Sequence, residues 1–197
     1  VSDRIAEVIE SNTRVFLAEV YREASPPVFG RWVQVRLQDG PVLYGLVSHV
    51  EQASYDPHRR AVAFGKTSEE LRQEMPHVME LLRTTFRAQV IAYRDARDRI
   101  RQTLPPHPAG IHDFVYPCTQ EDVRSLGQPY DYLRTLVRSP DPSVPVDDLI
   151  VAVMAGVYEA HGGRHGGTDE LVSAGRALSR LLNDDHERLQ SILRRVL

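Results

Sequence analysis

The chain contains one cysteine, Cys118, in 197 residues. A single thiol excludes an internal disulfide, a thiol-rich zinc site and a vicinal redox pair, and a reducing, cytoplasmic setting is expected. An excess of either charge is also missing. The 24 basic and 27 acidic residues leave no global field to draw the molecule onto nucleic acid or an acidic membrane. The longest apolar run, Leu149 to Val157, is far too short to span a bilayer. Val1 to Glu10 is charged and alternating, unlike a signal peptide or anchor, so a soluble protein is expected. The sequence shows no internal repeat and no low-complexity tract. It does have 42% apolar residues, enough for a sizeable core, and a change of hydrophobic period near Thr119.

Before Thr119 the pattern is that of strands. Ile5 to Ile9, Val15 to Val20 and Trp32 to Leu37 are short alternating runs bounded by polar or turn residues. Gln38 to Pro41 supplies a hairpin turn into Val42 to Val50, where Gly45 marks a bulge or a tight bend. Ser54 to Arg60 is polar and turn-rich, and Ala61 to Phe64 is a candidate short strand. Thr67 with Glu70 has the spacing of a capping box. Leu71, Met75, Val78, Met79 and Leu82 then repeat at helical spacing, with a break expected at Pro76. On this pattern Met75 and Met79 belong to the core. Thr85 to Tyr93, Arg99 to Leu104 and Phe114 to Tyr116 complete six or seven strands. So many short strands favour a small closed barrel, because closure removes exposed sheet edges.

After Thr119 the period is helical. Thr119 with Asp122 repeats the capping pattern. Four apolar stripes follow, beginning at Tyr130, Leu149, Leu171 and Leu189, and Pro140, Pro142 and Pro145 form a linker between the first two. Stripes of this length are marginal alone and must pack on each other or on the barrel. The expected fold class is therefore α+β. Residues 1–118 form a closed barrel with a helix inserted near 68–83, and residues 119–197 form a helical appendage.

No complete catalytic signature is present. His161 to Thr168 is glycine-rich before a helix, as anion loops are, but it lacks the Lys and the preceding strand of a P-loop. His161 and His165 are four apart, on a loop and without a clear third metal ligand; a helix-to-helix connector is the simpler reading. Cys118 with His112 has no orienting third group, so Cys118 is read as a buried structural residue and His107 and His112 as loop residues. The acidic pairs Glu69-Glu70, Asp147-Asp148 and Asp184-Asp185 all fall near helix starts, where negative charge suits the dipole. No catalytic, cofactor or metal residue is assigned. The basic clusters Arg94, Arg97, Arg99, Arg101 and Arg59, Arg60 are candidates for an interaction surface, although Asp95 and Asp98 dilute the first.

Three segments together carry a resemblance. Arg4 to Glu10 with Phe16 to Val20, Leu43 to Val47, and Glu70 to Thr84, supported by Tyr93, Leu104-Pro-Pro106 and His112 to Val115, resemble HAS-barrel proteins over about the first 118 residues. That barrel occurs at the amino terminus of HerA-type DNA-translocating ATPases and of ATP synthase subunits. No motor follows here, and the resemblance transfers no nucleotide site. It implies a module that packs against copies of itself or another protein, within a DNA-processing assembly. Direct binding of single-stranded nucleic acid at the barrel rim and an unrecognised hydrolase or metal enzyme are the alternatives.

Overall fold

The structure is a computed structural model, and it describes residues 4–37, 40–56 and 62–196. Strands β1 (Ala6–Ser11), β2 (Val15–Val20), β3 (Trp32–Arg36), β4 (Val42–Ser54), β5 (Leu82–Arg94) and β7 (Phe114–Pro117) pair antiparallel in the order β2-β1-β7-β3-β4-β5. Pairing of β2 with β5, Phe16 opposite Ala88, closes the ring. The two-residue β6 (Ile100–Arg101) adds to β5 outside it. Closure leaves no long unpaired edge in the ring, and the expected small closed barrel of six or seven strands forms with six in the ring and one outside it.

Alternation along the strands points Ala6, Val8, Phe16, Ala18, Val33, Val35, Leu43, Val47, Phe86, Ala88, Val90 and Val115 into the barrel, where all are fully or almost fully buried. Between the pairs Tyr44–Ala92 and Gly45–Val90, β5 carries one extra residue, Ile91. Such a bulge shifts the phase of a strand. Ile91 and Ala92 consequently join Trp32, Tyr44 and Leu46 in a second core on the outside of the barrel. Gly45 lies at this irregularity, as its sequence context suggests.

Helices α3 (Gln120–Ser125), α4 (Tyr132–Val137), α5 (Val146–Ala160), α6 (Gly167–Leu181) and α7 (His186–Val196) build the other side of that second core. The Thr119 capping box opens its own helix, which makes five rather than four. Leu133, Leu149, Ile150, Val153, Met154 and Val157 are buried with the outward barrel residues. The Trp32 and Tyr132 rings meet edge to face at 5.4 Å, a geometry worth about 0.5–1.5 kcal/mol beyond burial alone. Asp147 and Asp148, in the first turn of α5, pair at 2.7 Å with Arg188 and Arg195 of α7. Asp185 accepts from the Arg188 amide at the start of α7.

Several boundaries differ from the sequence pattern. Leu82 is the first residue of β5 and not the end of a helical stripe, because β4 runs on to Ser54 and pairs with it. The expected strand at Arg99 to Leu104 shrinks to two residues. Residues 62–64 form no strand; Ala61, Arg59, Arg60, Gln38 and Asp39 lie outside the described residues. The helix near 68–83 is two short helices, α1 (Ser68–Glu74) and α2 (Pro76–Glu80), parted at Pro76 as expected. Among the described residues neither contributes a buried side chain, so Met75 and Met79 are not core. Their stripe has the right period, but Leu71, Met75, Val78 and Met79 are only half-buried.

The β2–β3 loop presses directly on α5. Gly30 has φ +75, and a Cβ there would lie 2.2 Å from the Ala152 Cβ. Gly30→Ala should therefore lower the free energy of unfolding by about 2–4 kcal/mol through overpacking and backbone strain, read by urea denaturation. Adding Ala152→Gly should restore the steric part and leave the strain.

Candidate interaction surface

The arginine hairpin is organised by two aspartates. Asp95 accepts from the Arg99 amide at 3.0 Å and the Arg97 amide at 2.9 Å, and pairs with the Arg99 and Arg101 guanidinium groups at 3.0 and 3.5 Å. The Arg99 amide, then its side chain and the Arg97 amide, hold the Asp95 carboxyl down at about 2. Arg94 donates to the Tyr44 hydroxyl at 3.0 Å and pairs with Asp98 at 3.0 Å. Three of the four guanidinium groups are thus partnered within the turn. Two carboxylates against four guanidinium groups still leave a net positive turn, and among the described residues Arg97 is the one of the four without an ion pair there.

The remaining chemical candidates do not converge. Cys118 is buried beneath the helices, and burial, with the nearby Asp122 charge, pushes its thiol well above the ordinary value. A thiol so shielded is a poor nucleophile. His112 instead pairs with Glu7 on the exposed side of β1. His161 Nδ1 is engaged by the Val157 carbonyl at 2.9 Å. Among the described residues no group of three His, Cys, Asp or Glu is arranged to hold a metal. The glycine loop is a helix connector: Gly162 has φ +95, and a Cβ on Gly167 would lie 2.2 Å from the Tyr158 carbonyl. Its glycines are required by this close turn whether or not an anion binds.

A different region carries the clearest surface signal. Past the end of their pairing with β2, β4 and β5 run on as a two-stranded arm, from the Gln52–Thr84 pair to the Ser54–Leu82 pair with Val50 at its base, and α1 and α2 lie between its two strands in the chain. Val50, Tyr55, Val62, Phe64, Leu81 and Leu82 are all exposed on it, Tyr55 by 64% and Val62 by 69%. Single exposed apolar residues are ordinary, whereas a concentration of them marks a contact surface. α1 depends on its capping box, in which the Glu70 amide donates to Thr67 and Glu70 accepts from the Thr67 amide. Helices this short are not stable by propensity alone.

Between the arm and the end of β2 lies a cleft of about 660 Å³, bordered by Tyr21, Arg22, Gln52, Tyr55, Leu71 and Arg83. Arg22 donates to the Glu80 carbonyl at 3.0 Å, and Arg83 bridges to Glu19 at 3.6 Å while stacking on Tyr55. These contacts tie α2 and the β5 side of the arm to the end of β2 and leave Val62 and Phe64 exposed. No sequence motif singles out this surface. The one available signal, the helical stripe at Met75 and Met79, reads equally well as core.

Neither the family models nor the curated proteins compared with this chain match it.

Beside the cleft, Glu7 accepts from the Tyr21 hydroxyl at 3.0 Å and pairs with His112. The His112 contact, followed by the Tyr21 bond, lowers the Glu7 carboxyl below its ordinary value of 4.5. Burial, then the Glu7 bond, pushes the Tyr21 phenol up to about 12. A carboxyl lowered by folding contributes stability above its unfolded pKa and loses it as pH falls through the folded value. Glu7→Gln should therefore flatten the loss of stability below pH 4.5, measured as melting temperature against pH. Near neutrality, where the lowered carboxyl contributes in full, the variant should be less stable than the wild type through loss of the Tyr21 and His112 contacts.

Proposed function

We propose that this chain is a non-catalytic docking module whose apolar arm, described at residues 50–56 and 62–82, seats against another protein surface, in the first instance a second copy of itself. The observation that carries the reading is the arm: two short helices with no buried side chain, amid six exposed large apolar residues. Burying such a surface would recover roughly 25 cal/mol for each Å² of apolar area removed from water, and it would hold α1 and α2 in place. The closed barrel and the resemblance to HAS-barrel proteins support the same reading, since that barrel serves as a packing unit. A place within a HerA-like DNA-processing assembly rests on that resemblance alone.

Light scattering over a range of protein concentrations should give a mass above that of the monomer. The double variant Val62→Asp, Phe64→Asp should shift it to the monomer while leaving the far-ultraviolet spectrum and melting temperature nearly unchanged, since both residues are exposed. A wild-type chain that stays monomeric, and that forms no specific cross-link through the arm in native extract, would refute the proposal.

A further inference from the structure

The outer face of β7 carries a second surface, separate in composition from the arm. Phe114 and Tyr116 lie two residues apart on this strand, so they point to the same side about 7 Å from one another along the chain. Phe114 is 36% exposed. The Arg4 guanidinium carbon sits 4.5 Å from the centre of the Phe114 ring and 5.9 Å from that of Tyr21. The Arg36 guanidinium carbon sits 4.4 Å from the Tyr116 ring. Both arginines are themselves exposed, and among the described residues neither forms an ion pair. Glu7, opposite Phe114 in the β1–β7 register, feels the Arg4 charge, but its oxygens are taken up by Tyr21 and His112.

We propose that the row Arg4, Phe114, Tyr116 and Arg36 is a docking strip for single-stranded nucleic acid. A guanidinium seated over a ring and without an ion pair keeps N–H groups available to a phosphate and its outer side available to a base. A base laid on that outer side extends the pile of ring and guanidinium, a contact insensitive to sequence. The spacing along β7 is comparable to the step between neighbouring nucleotides in an extended strand. An acidic peptide would use the charges and leave the rings idle, and a duplex hides its base faces within its own stack. Among the described residues no arginine of the hairpin at residues 94–101 lies over a ring, and three of the four are engaged by Asp95 and Asp98.

The test is fluorescence anisotropy of the full chain with a labelled oligothymidylate of about 16 nucleotides, the upper site size of a small barrel. Binding should weaken with salt. The variant Arg4→Gln, Arg36→Gln should flatten the plot of log affinity against log salt by about 1.4, or about 0.7 for each phosphate that is no longer neutralised. Tyr116→Ala should weaken binding about ten-fold or more, whereas Arg97→Ala should leave it unchanged. Should the Tyr116 variant fold poorly by circular dichroism, the arginine pair, being exposed, still decides the matter. The inference is overturned by absence of salt-sensitive binding, by loss in the Arg97 variant with retention in the Arg4, Arg36 variant, or by equal competition from polyglutamate. None of these outcomes bears on self-association through the arm.

Discussion

One extra residue in β5 sets the plan of the molecule. A closed barrel of six short strands has room inside for one layer of side chains, and Phe16, Phe86, Val33 and Val35 fill it. Without the bulge at Ile91, strand alternation would keep Ala92 in phase with Val90 and turn it inward. With it, Ile91 and Ala92 face out beside Tyr44 and Leu46, opposite the buried stripes of α4 and α5. The same strand is thus part of two cores, and the helices are held to the barrel by continuous apolar packing.

Much of this plan is legible in the sequence because it is written in local chemistry. Thr67 with Glu70 and Thr119 with Asp122 are both complete capping boxes. Pro76 parts two helices, and Gly45 lies at a bulge. The alternation that suggests a barrel is the alternation that fills it. The failures share a cause as well. Met75, Met79 and Leu82 have a helical period, but period records only that a stripe exists and says nothing of what covers it. Leu82 is a strand residue because Ser54, 28 positions earlier, lies opposite it.

The surfaces are less legible than the fold, for a related reason. Arg94, Arg97, Arg99 and Arg101 stand out by density, and only the turn geometry shows Asp95 and Asp98 engaging three of them. Arg4 and Arg36 attract no notice singly, since the rings they rest on are distant in the chain. Barrel closure brings the amino-terminal strand beside β7, and a pairing made by closure leaves no local trace. The exposed arm is harder still, because its side chains have the composition of a core.

Trp32 is the only tryptophan in the chain, and it stands on the seam between barrel and helices. Its ring is edge-on to Tyr132, and Gly156 of α5 approaches its indole nitrogen so closely that a Cβ there would sit at 3.2 Å. The molecule therefore carries a built-in optical gauge of its own integrity. Emission excited at the indole edge comes from this one seam, so its colour follows the separation of the two halves as each loosens under denaturant. Circular dichroism reports the helices and strands in bulk. Comparing the two signals shows whether sheet and helices come apart as one cooperative body or in succession, without attaching any label.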